Sequence, residues 1–449
     1  MSDLLSIGST GVSAYRSALA AIGENVANAE TPGYARREVR LNQSSNTGST
    51  SPIYREALLF SGVEAASVDR AWDAFRAADS RLAASAAGRA DTREQWLTAV
   101  ETALDDGPAG IGNLLGGFFN AAVSLAATPD DRLGRSAVLI ALDRATGAMR
   151  TTAEALSRVS EGISTSARLE VEGLNGELSA LADVNTALRQ AASGRSSRAS
   201  LEDERDRLID SISGRIDVNA AIADDGTATL TLARATGMNL LSTGNRALVI
   251  LAEAGDGRLS LQLQANGTTT PLPATGGTLA GLVDVAASTA DKRIALDGLA
   301  QDFTREINRW SRDGIDLNGD AGRTLLTAPA GALSIGMLIT DPARIPAASA
   351  DGNPNGNLLA LASLRGADSA ESRWAALVAG QSQALAAARA EAGAASTRRD
   401  NSFAARDEIS GIDLDREAAE LLRFQQAYNG AAKVIQVARE TLQSILALF

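Results

Sequence analysis

The residues closest to a metal-binding motif lie in an Asp- and Asn-rich segment. Asp316, Asn318 and Asp320 alternate as the first oxygen ligands of a calcium loop do. However, Ala321 stands where the sharp turn of such a loop requires glycine, and Thr327 stands where the bidentate glutamate belongs. The segment therefore favours an Asx-rich turn, with a weak cation site as the alternative.

A glycine-rich segment from Gly110 to Gly116 comes nearest to a nucleotide-binding motif. Its glycines miss the dinucleotide fingerprint by one residue, and it follows a turn instead of a strand. No phosphate-binding Gly-x4-Gly-Lys-Ser/Thr sequence occurs, and neither lysine, Lys292 or Lys433, lies in a recognisable motif. We therefore expect no cofactor.

Composition narrows the function further. The 449 residues include no Cys and no His, which excludes disulfides, zinc fingers, thiol nucleophiles and imidazole bases. The net charge of -12 disfavours nucleic-acid binding. We expect a protein that is not an enzyme. An acid-pair or metal enzyme centred on Asp316 and Asp320 is the remote alternative.

The N-terminus carries a heptad pattern that we call the N-terminal seam. Its apolar or small residues are Leu5, Gly8, Val12, Tyr15, Leu19, Ile22 and Val26. Alternating spacings of three and four predict a helix that packs against another helix. The helix should stop at Thr31-Pro32-Gly33-Tyr34, since proline disfavours α geometry in the residue before it and glycine permits positive φ.

The C-terminus carries a second such pattern, the C-terminal seam. Its members are Leu421, Phe424, Tyr428, Ala431, Ile435, Ala438, Leu442, Ile445 and Phe449. A single stripe of this kind most often packs within its own domain. Two stripes at opposite ends of the chain favour pairing with each other or with neighbouring subunits.

Between the seams the patterns change from helix to strand and back. Helices are predicted over Val68–Leu104, Ile111–Ala127, Thr128–Gln190, Leu201–Ser213, Ala286–Arg312, Leu358–Leu364 and Ser372–Arg406, the third of them as one helix or a broken pair. Thr128-Pro129 should cap the third of these, and Asp203 and Arg207 in the fourth should pair at i,i+4. Strands are predicted over Ile216–Ile222, Thr227–Ala233, Ala247–Ala252 and Leu259–Gln264, separated by Asp-Gly and Asn-Gly turns.

These patterns predict a mainly α fold with a small inserted antiparallel β domain. Residues 1–34 and 412–449 would form a terminal coiled-coil domain, 35–214 and 286–411 a helical middle domain, and 215–285 a β-rich outer domain. The N-terminus lacks the charged and apolar regions of a cleavable signal peptide, and the longest apolar run is about six residues, far below the roughly 20 that span a bilayer. We expect no membrane insertion.

Both ends of the chain resemble a known group, the flagellar axial proteins of the rod, hook and hook junction. The resemblance rests on the stretch from Asn25 through Asn28 and Thr31 to Tyr34, and on Ser410–Glu417 with Leu422–Tyr428 and Ala432–Gln436. Three interior stretches, Leu201–Leu208, Gly314–Gly322 and Ile339–Asn353, are similar to the FlgK-type hook-associated family. Only about sixteen residues separate Gly322 from Ile339, so the chain looks like a compact form of that family.

The resemblance implies a secreted structural subunit of the hook–filament junction, cytoplasmic only before export by the flagellar type III apparatus. It also implies self-association in a ring or helical layer, contacts with the hook protein and the next junction protein, and an export chaperone on the C-terminal helix. Assembly residues would be the seam residues other than Gly8, Ala431 and Ala438, together with Asn28 and Thr31–Tyr34. A soluble or exported coiled-coil binding adaptor is the alternative function.

Overall fold

The computed structural model describes residues 2–45, 60–191, 196–233, 235, 237–242, 244–273 and 275–447. Over these residues the α-helices are α1 (Ser2–Ala27), α2 (Ala74–Ala103), α3 (Ile111–Ala127), α4 (Arg132–Gln190), α5 (Ser196–Arg215), α6 (Gly277–Arg312), α7 (Gly356–Ala360), α8 (Ala370–Ser410) and α9 (Leu414–Leu446). Short 3-10 helices span Gly331–Ser334, Pro342–Arg344 and Leu361–Leu364.

The strands are short and pair antiparallel. They are β1 (Arg37–Ser45), β2 (Phe60–Arg70), β3 (Val218–Ile222), β4 (Ala228–Leu232), β5 (Asn239–Ser242), β6 (Asn245–Arg246), β7 (Leu248–Glu253), β8 (Leu259–Ala265), β9 (Thr268–Leu272), β10 (Gly314–Ile315), β11 (Leu326–Thr327), β12 (Gly336–Met337) and β13 (Ala348–Ser349). The predicted fold class, mainly α with small antiparallel sheets, is confirmed.

Most predicted helices occur, with three boundary corrections. The segment predicted to start a helix at Val68 is still in strand β2, which pairs with β1, and α2 begins at Ala74. The prediction that Thr128-Pro129 caps α4 is wrong: the helix begins at Arg132, and the carboxylate of Asp131 accepts the N–H groups of Leu133 and Gly134, each at 3.0 Å. Helix α6 begins at Gly277, nine residues before the predicted start.

The predicted β region contains two sheets. One has the strand order β3-β4-β5-β6 and the other β7-β8-β9. The Asn266-Gly267 turn between β8 and β9 has φ of 51° and 77°, the left-handed geometry that these residue types adopt most readily. Among the described helices, none combines the length and apolarity that crossing a membrane requires.

The chain divides into two compact units. Unit 1 comprises residues 1–85, 174–248 and 396–449, and unit 2 comprises 86–173 and 249–395. Unit 2 contains a core in which Phe118 contacts Phe119 and Phe303, with ring centroids 5.2 and 6.3 Å away. Unit 1 contains α1, α9, the β1–β2 hairpin and α5, and the predicted assembly residues lie in it.

Candidate functional site: the terminal helix pair and its buried polar cluster

Helices α1 and α9, the terminal helix pair, pack antiparallel in unit 1. Near the start of α1, a Cβ built on Gly8 would lie only 2.6 Å from Cγ1 of Ile435. Further along, the rings of Tyr15 and Phe424 are 6.2 Å apart. Because later α1 residues meet earlier α9 residues, the two helices run in opposite directions along a shared seam.

The buried face of α1 consists largely of small residues. Gly8, Gly11, Ala14, Ala18 and Ala21 are buried, and a Cβ at Gly11 would lie 3.3 Å from the Cβ of Ala431. Small side chains let two helix backbones approach closely, so α9 can lie against the backbone of α1.

The predicted interaction residues divide by burial. Ile22 is buried. The half-buried residues are Leu5, Val12, Tyr15, Leu19, Asn28, Tyr34, Leu421, Phe424, Tyr428, Ile435 and Leu442. The exposed residues are Val26, Thr31, Pro32, Gly33 and Ile445. Phe449 lies outside the described residues. Asn25, not Val26, therefore ends the buried side of α1, and 45% of Val26 is exposed. The assembly role of this set stays a prediction.

Asn25 joins three segments of the chain through its side-chain amide. Its Nδ2 donates to the backbone O of Arg37 and to Oε2 of Glu417 in α9, each at a distance of 3.0 Å. Its Oδ1 accepts from the backbone N–H of Arg37 at 2.9 Å and from the hydroxyl of Tyr34 at 3.1 Å. Every polar atom of this amide is thus hydrogen-bonded, as a buried amide requires.

Arg37, in strand β1, extends the buried hydrogen bonds around Asn25 to helix α5. We call this set of buried polar side chains the polar cluster. Its guanidinium donates to the hydroxyls of Ser196 and Ser200 at 2.8 and 2.9 Å, and it forms an ion pair with Glu24. The same group lies 4.9 Å from the ring centroid of Tyr34, within cation–π range.

Three aspartates on one face of α5 receive arginines from three other elements. Arg70, at the end of β2, forms an ion pair with Asp203 at 2.8 Å and donates a hydrogen bond to Asp206 at 2.9 Å. Asp210 accepts from Arg81 of α2 at 2.6 Å and from Arg406 of α8 at 2.7 Å. Charge-assisted hydrogen bonds of this kind, inside a fold, position the elements that contribute them.

The predicted i,i+4 pair of Asp203 with Arg207 is wrong. Arg207 instead forms an ion pair with Glu204, and Asp203 faces Arg70 and Arg37 across the cluster. The i,i+4 rule considers only the helix itself, whereas the buried side of α5 is matched to arginines from distant segments.

Burial changes the ionisation of two groups in the cluster. It raises the pKa of the Asp203 carboxyl, and the Arg70 and Arg37 guanidinium groups oppose that shift. Burial also raises the pKa of Tyr34 to about 12, again against the influence of Arg37.

The patterns had not identified Asn25 and Glu417 as partners, although a signal exists. Glu417 lies four residues before Leu421 and so continues the C-terminal seam by one step, and Asn25 lies three residues after Ile22. In the structure these two polar residues pair with each other.

The segment that resembles the start of a calcium loop, Asp316 to Asp320, is bridged by the side chain of Arg344. Both Asp316 and Asp320 accept hydrogen bonds from the Arg344 guanidinium, at 3.0 and 2.7 Å. Asp316 Oδ1 also accepts the backbone N–H groups of Asn318 and Asp320, which is the predicted Asx-rich turn. The carboxylates are therefore engaged by a side chain of this chain.

An apolar groove runs along the outer face of the terminal helix pair. It is lined by Leu4, Asn429, Gly430, Lys433, Val434 and Val437. Of these, Leu4 and Val437 are about half exposed, at 46% and 51%. Exposed apolar side chains gathered in one groove are typical of an interaction surface.

Two family models match the chain. The model described as the flagellar hook-associated protein FlgK helical domain matches residues 97–326, just over half of the chain. The model described as the flagellar basal body rod FlgEFG protein C-terminal matches residues 405–448, which include helix α9.

Similar proteins agree with these matches. Flagellar hook-associated protein 1 of Bacillus subtilis (strain 168) is 24% identical, over 97% of this chain and 96% of the relative. The protein of that name from Escherichia coli (strain K12) is 21% identical, but the match spans only 65% of its length and 77% of this chain. A solved structure of the flagellar hook junction protein FlgK from Burkholderia pseudomallei has a TM-score of 0.50 and 19% identity, over 56% of this chain and 46% of that one.

Proposed function

Because this chain belongs to the FlgK family of flagellar hook-associated proteins, we propose that it is a subunit of the hook–filament junction whose terminal helices provide the assembly surface. Members of this family are structural components of the flagellum and are not enzymes. The observation that carries the proposal is the terminal helix pair, which holds both ends of the chain together and leaves an apolar groove on its outer face.

The groove suits contacts between subunits in a ring or helical layer. Val434 and Val437 are 37% and 51% exposed, so the pairing within one chain leaves both partly available. Repeating layers need contacts between unlike surfaces, which the groove on one subunit and another surface on its neighbour can supply. Hook protein and the next junction protein are the proposed neighbours of the layer.

We further propose export in an unfolded state through the flagellar type III apparatus, after a transient cytoplasmic stage. A cytoplasmic chaperone would hold the C-terminal helix until export, covering apolar residues such as Leu442 and Ile445. The half-buried and exposed positions of these two residues support that role. Calorimetry with the flagellar export chaperone of the same organism tests it, and absence of binding would contradict it.

Changing Val434 and Val437 together to Asp tests the assembly surface. Charges in an apolar contact oppose its burial, so we expect incorporation into hook–filament structures to fall by more than about tenfold. The purified variant should keep the helical circular dichroism of the unaltered chain, because neither side chain lies in the α1–α9 seam.

The matched control adds the same charges to α9 outside the groove, at Gln425 and Gln443, which are both exposed. Normal incorporation of the Val434→Asp, Val437→Asp chain would contradict the groove as an assembly surface. A coiled-coil adaptor, the alternative function, predicts that the unaltered chain is missing from purified hook–filament structures.

A further inference from the structure

We infer that the buried pair Asn25–Glu417 sets the register in which α9 lies along α1. Only 1% of Asn25 and 3% of Glu417 is exposed, at the end of a seam that is otherwise apolar. A polar residue at one seam position is a recognised means of specifying register in helix pairs, at some expense of stability. The inference concerns pairing within one chain and does not rest on the assembled role.

The small residues of the seam do not by themselves fix one register. On the α1 side its buried residues are glycines, alanines and a single isoleucine. On the α9 side Ala427, Ala431 and Ala438 recur at intervals of about one or two turns. A slide of one turn, about 5.4 Å, brings the small residue Ala427 opposite Gly11 in one direction and the larger Ile435 in the other.

The polar pair responds differently to the same slide. A slide in one direction would bring Leu421, which has no acceptor, opposite Asn25. A slide in the other direction would bring Asp413 opposite Asn25, but the Asp413 carboxylate already accepts the N–H groups of Asp415 and Arg416 at the start of α9. Either slide takes the buried Glu417 carboxylate away from its donor. Loss of a hydrogen bond to a buried charged group disfavours the shifted registers by about tenfold or more.

The Asn25 amide cannot turn to follow α9. Its oxygen and one of its N–H groups are held by the backbone of Arg37, and the oxygen also by the Tyr34 hydroxyl. Only the second N–H group is left for α9, and its direction is set by strand β1. The amide therefore offers α9 one position for an acceptor, and Glu417 occupies it.

Engineered cysteine pairs can measure the register, because the chain contains no cysteine of its own. Gly11→Cys with Ala431→Cys reports the observed register, in which the two Cβ positions are 3.3 Å apart. Gly11→Cys with either Ala427→Cys or Ile435→Cys reports a slide of one turn in one direction or the other. In the otherwise unaltered chain we expect the first pair to oxidise at least about tenfold faster than the shifted pairs.

Three changes to the polar pair should alter that preference in different ways. Asn25→Asp places two carboxylates together, and Glu417→Leu makes position 417 apolar. Either change should bring the oxidation rates of the three cysteine pairs to within about threefold of one another. In the double variant Asn25→Asp, Glu417→Gln, residue 417 carries the donor and residue 25 the acceptor. This variant should restore the faster oxidation of the cysteine pair that reports the observed register. Asn28→Asp is the matched control, since Asn28 Nδ2 donates to the Glu24 carbonyl inside α1.

Thermal unfolding separates register from stability. Glu417→Leu removes one partner only and leaves an N–H group of Asn25 buried without an acceptor, so we expect it to lower the melting temperature as well as to loosen the register. Retention of the roughly tenfold preference by the Glu417→Leu chain would overturn the inference, whatever its stability. If the Asn25→Asp chain does not fold, the Glu417→Leu chain decides the question alone.

Discussion

Asn25 shows how much of the site depends on a single side chain. One amide connects the end of α1 to the start of β1 and to α9, segments 12 and 392 residues away. Arg37 extends the connection to α5, so motifs from the start, middle and end of the sequence meet in unit 1. Substitutions at these residues should therefore affect contacts between elements more than the elements themselves.

We expect Tyr34 to lose its proton only near pH 12, because burial raises its pKa from 10.0 to about 12. The folded state then holds this proton more tightly than the unfolded state does. Its contribution to stability is complete below about pH 10 and is lost as the pH rises through about 12. Tyrosinate absorbance measures this, and the Tyr34→Phe chain should lack the last step of the titration. Loss of an earlier step instead would contradict the burial of this hydroxyl.

At the scale of elements, close packing of α1 on α9 depends on glycines inside a helix. Glycine normally destabilises a helix interior by roughly 0.5–1 kcal/mol relative to alanine. At Gly8 that disadvantage is offset, since an added Cβ would lie 3.3 Å from the backbone of both Ala431 and Ile435. At Gly23 nothing lies within 4 Å of an added Cβ, so there the usual preference for alanine applies.

Gly8→Ala should therefore destabilise the chain although alanine favours helix. Overpacking typically lowers the free energy of unfolding by about 1–3 kcal/mol, which outweighs the gain in helix propensity. Gly23→Ala in the same helix should instead raise it by about 0.5–1 kcal/mol. Denaturant unfolding of both chains gives the comparison, and equal effects would show that α9 does not lie against Gly8.

The elements were more predictable from sequence than the contacts between them. Periodicity predicted α3 and the end of α4 correctly, because a buried helical stripe leaves a local pattern. It favoured Val26 over Asn25 for the seam, because apolarity alone does not reveal a buried amide whose partners lie far away in sequence. The arginines that pair with the aspartates of α5 could not be predicted from sequence either, because each comes from another element.

At the scale of the whole molecule, both compact units have buried apolar residues, and unit 1 has a buried cluster of charged and amide groups in addition. Unit 2 contains a large apolar core with Phe118 completely buried. The α1, β1, β2 and α5 region of unit 1 is held by charged and amide groups, with small apolar residues along the helix pair. A core substitution in unit 2 should therefore act mainly on that unit.

Phe118→Ala tests this separation. Truncating a buried phenylalanine removes about 3–5 kcal/mol of stability, so amides of α3 and α6 should exchange their hydrogens faster. The control, Leu133→Ala, changes a side chain that is 81% exposed and should alter stability by less than about 0.5 kcal/mol. Equal loss of protection in α1 and α9 would show that the units unfold as one.

The small residues of α1 also affect the entropy of folding. Burying glycine or alanine freezes no side-chain rotamers, whereas leucine or isoleucine loses about 0.5–1 kcal/mol of rotamer freedom. Gly8, Gly11, Ala14 and Ala18 therefore become ordered with almost no side-chain penalty, and the rotamer freedom lost on pairing belongs to the larger residues of the two seams. In the proposed pathway, in which the chain folds only after export, this reduces the side-chain part of the entropy lost when its two ends pair.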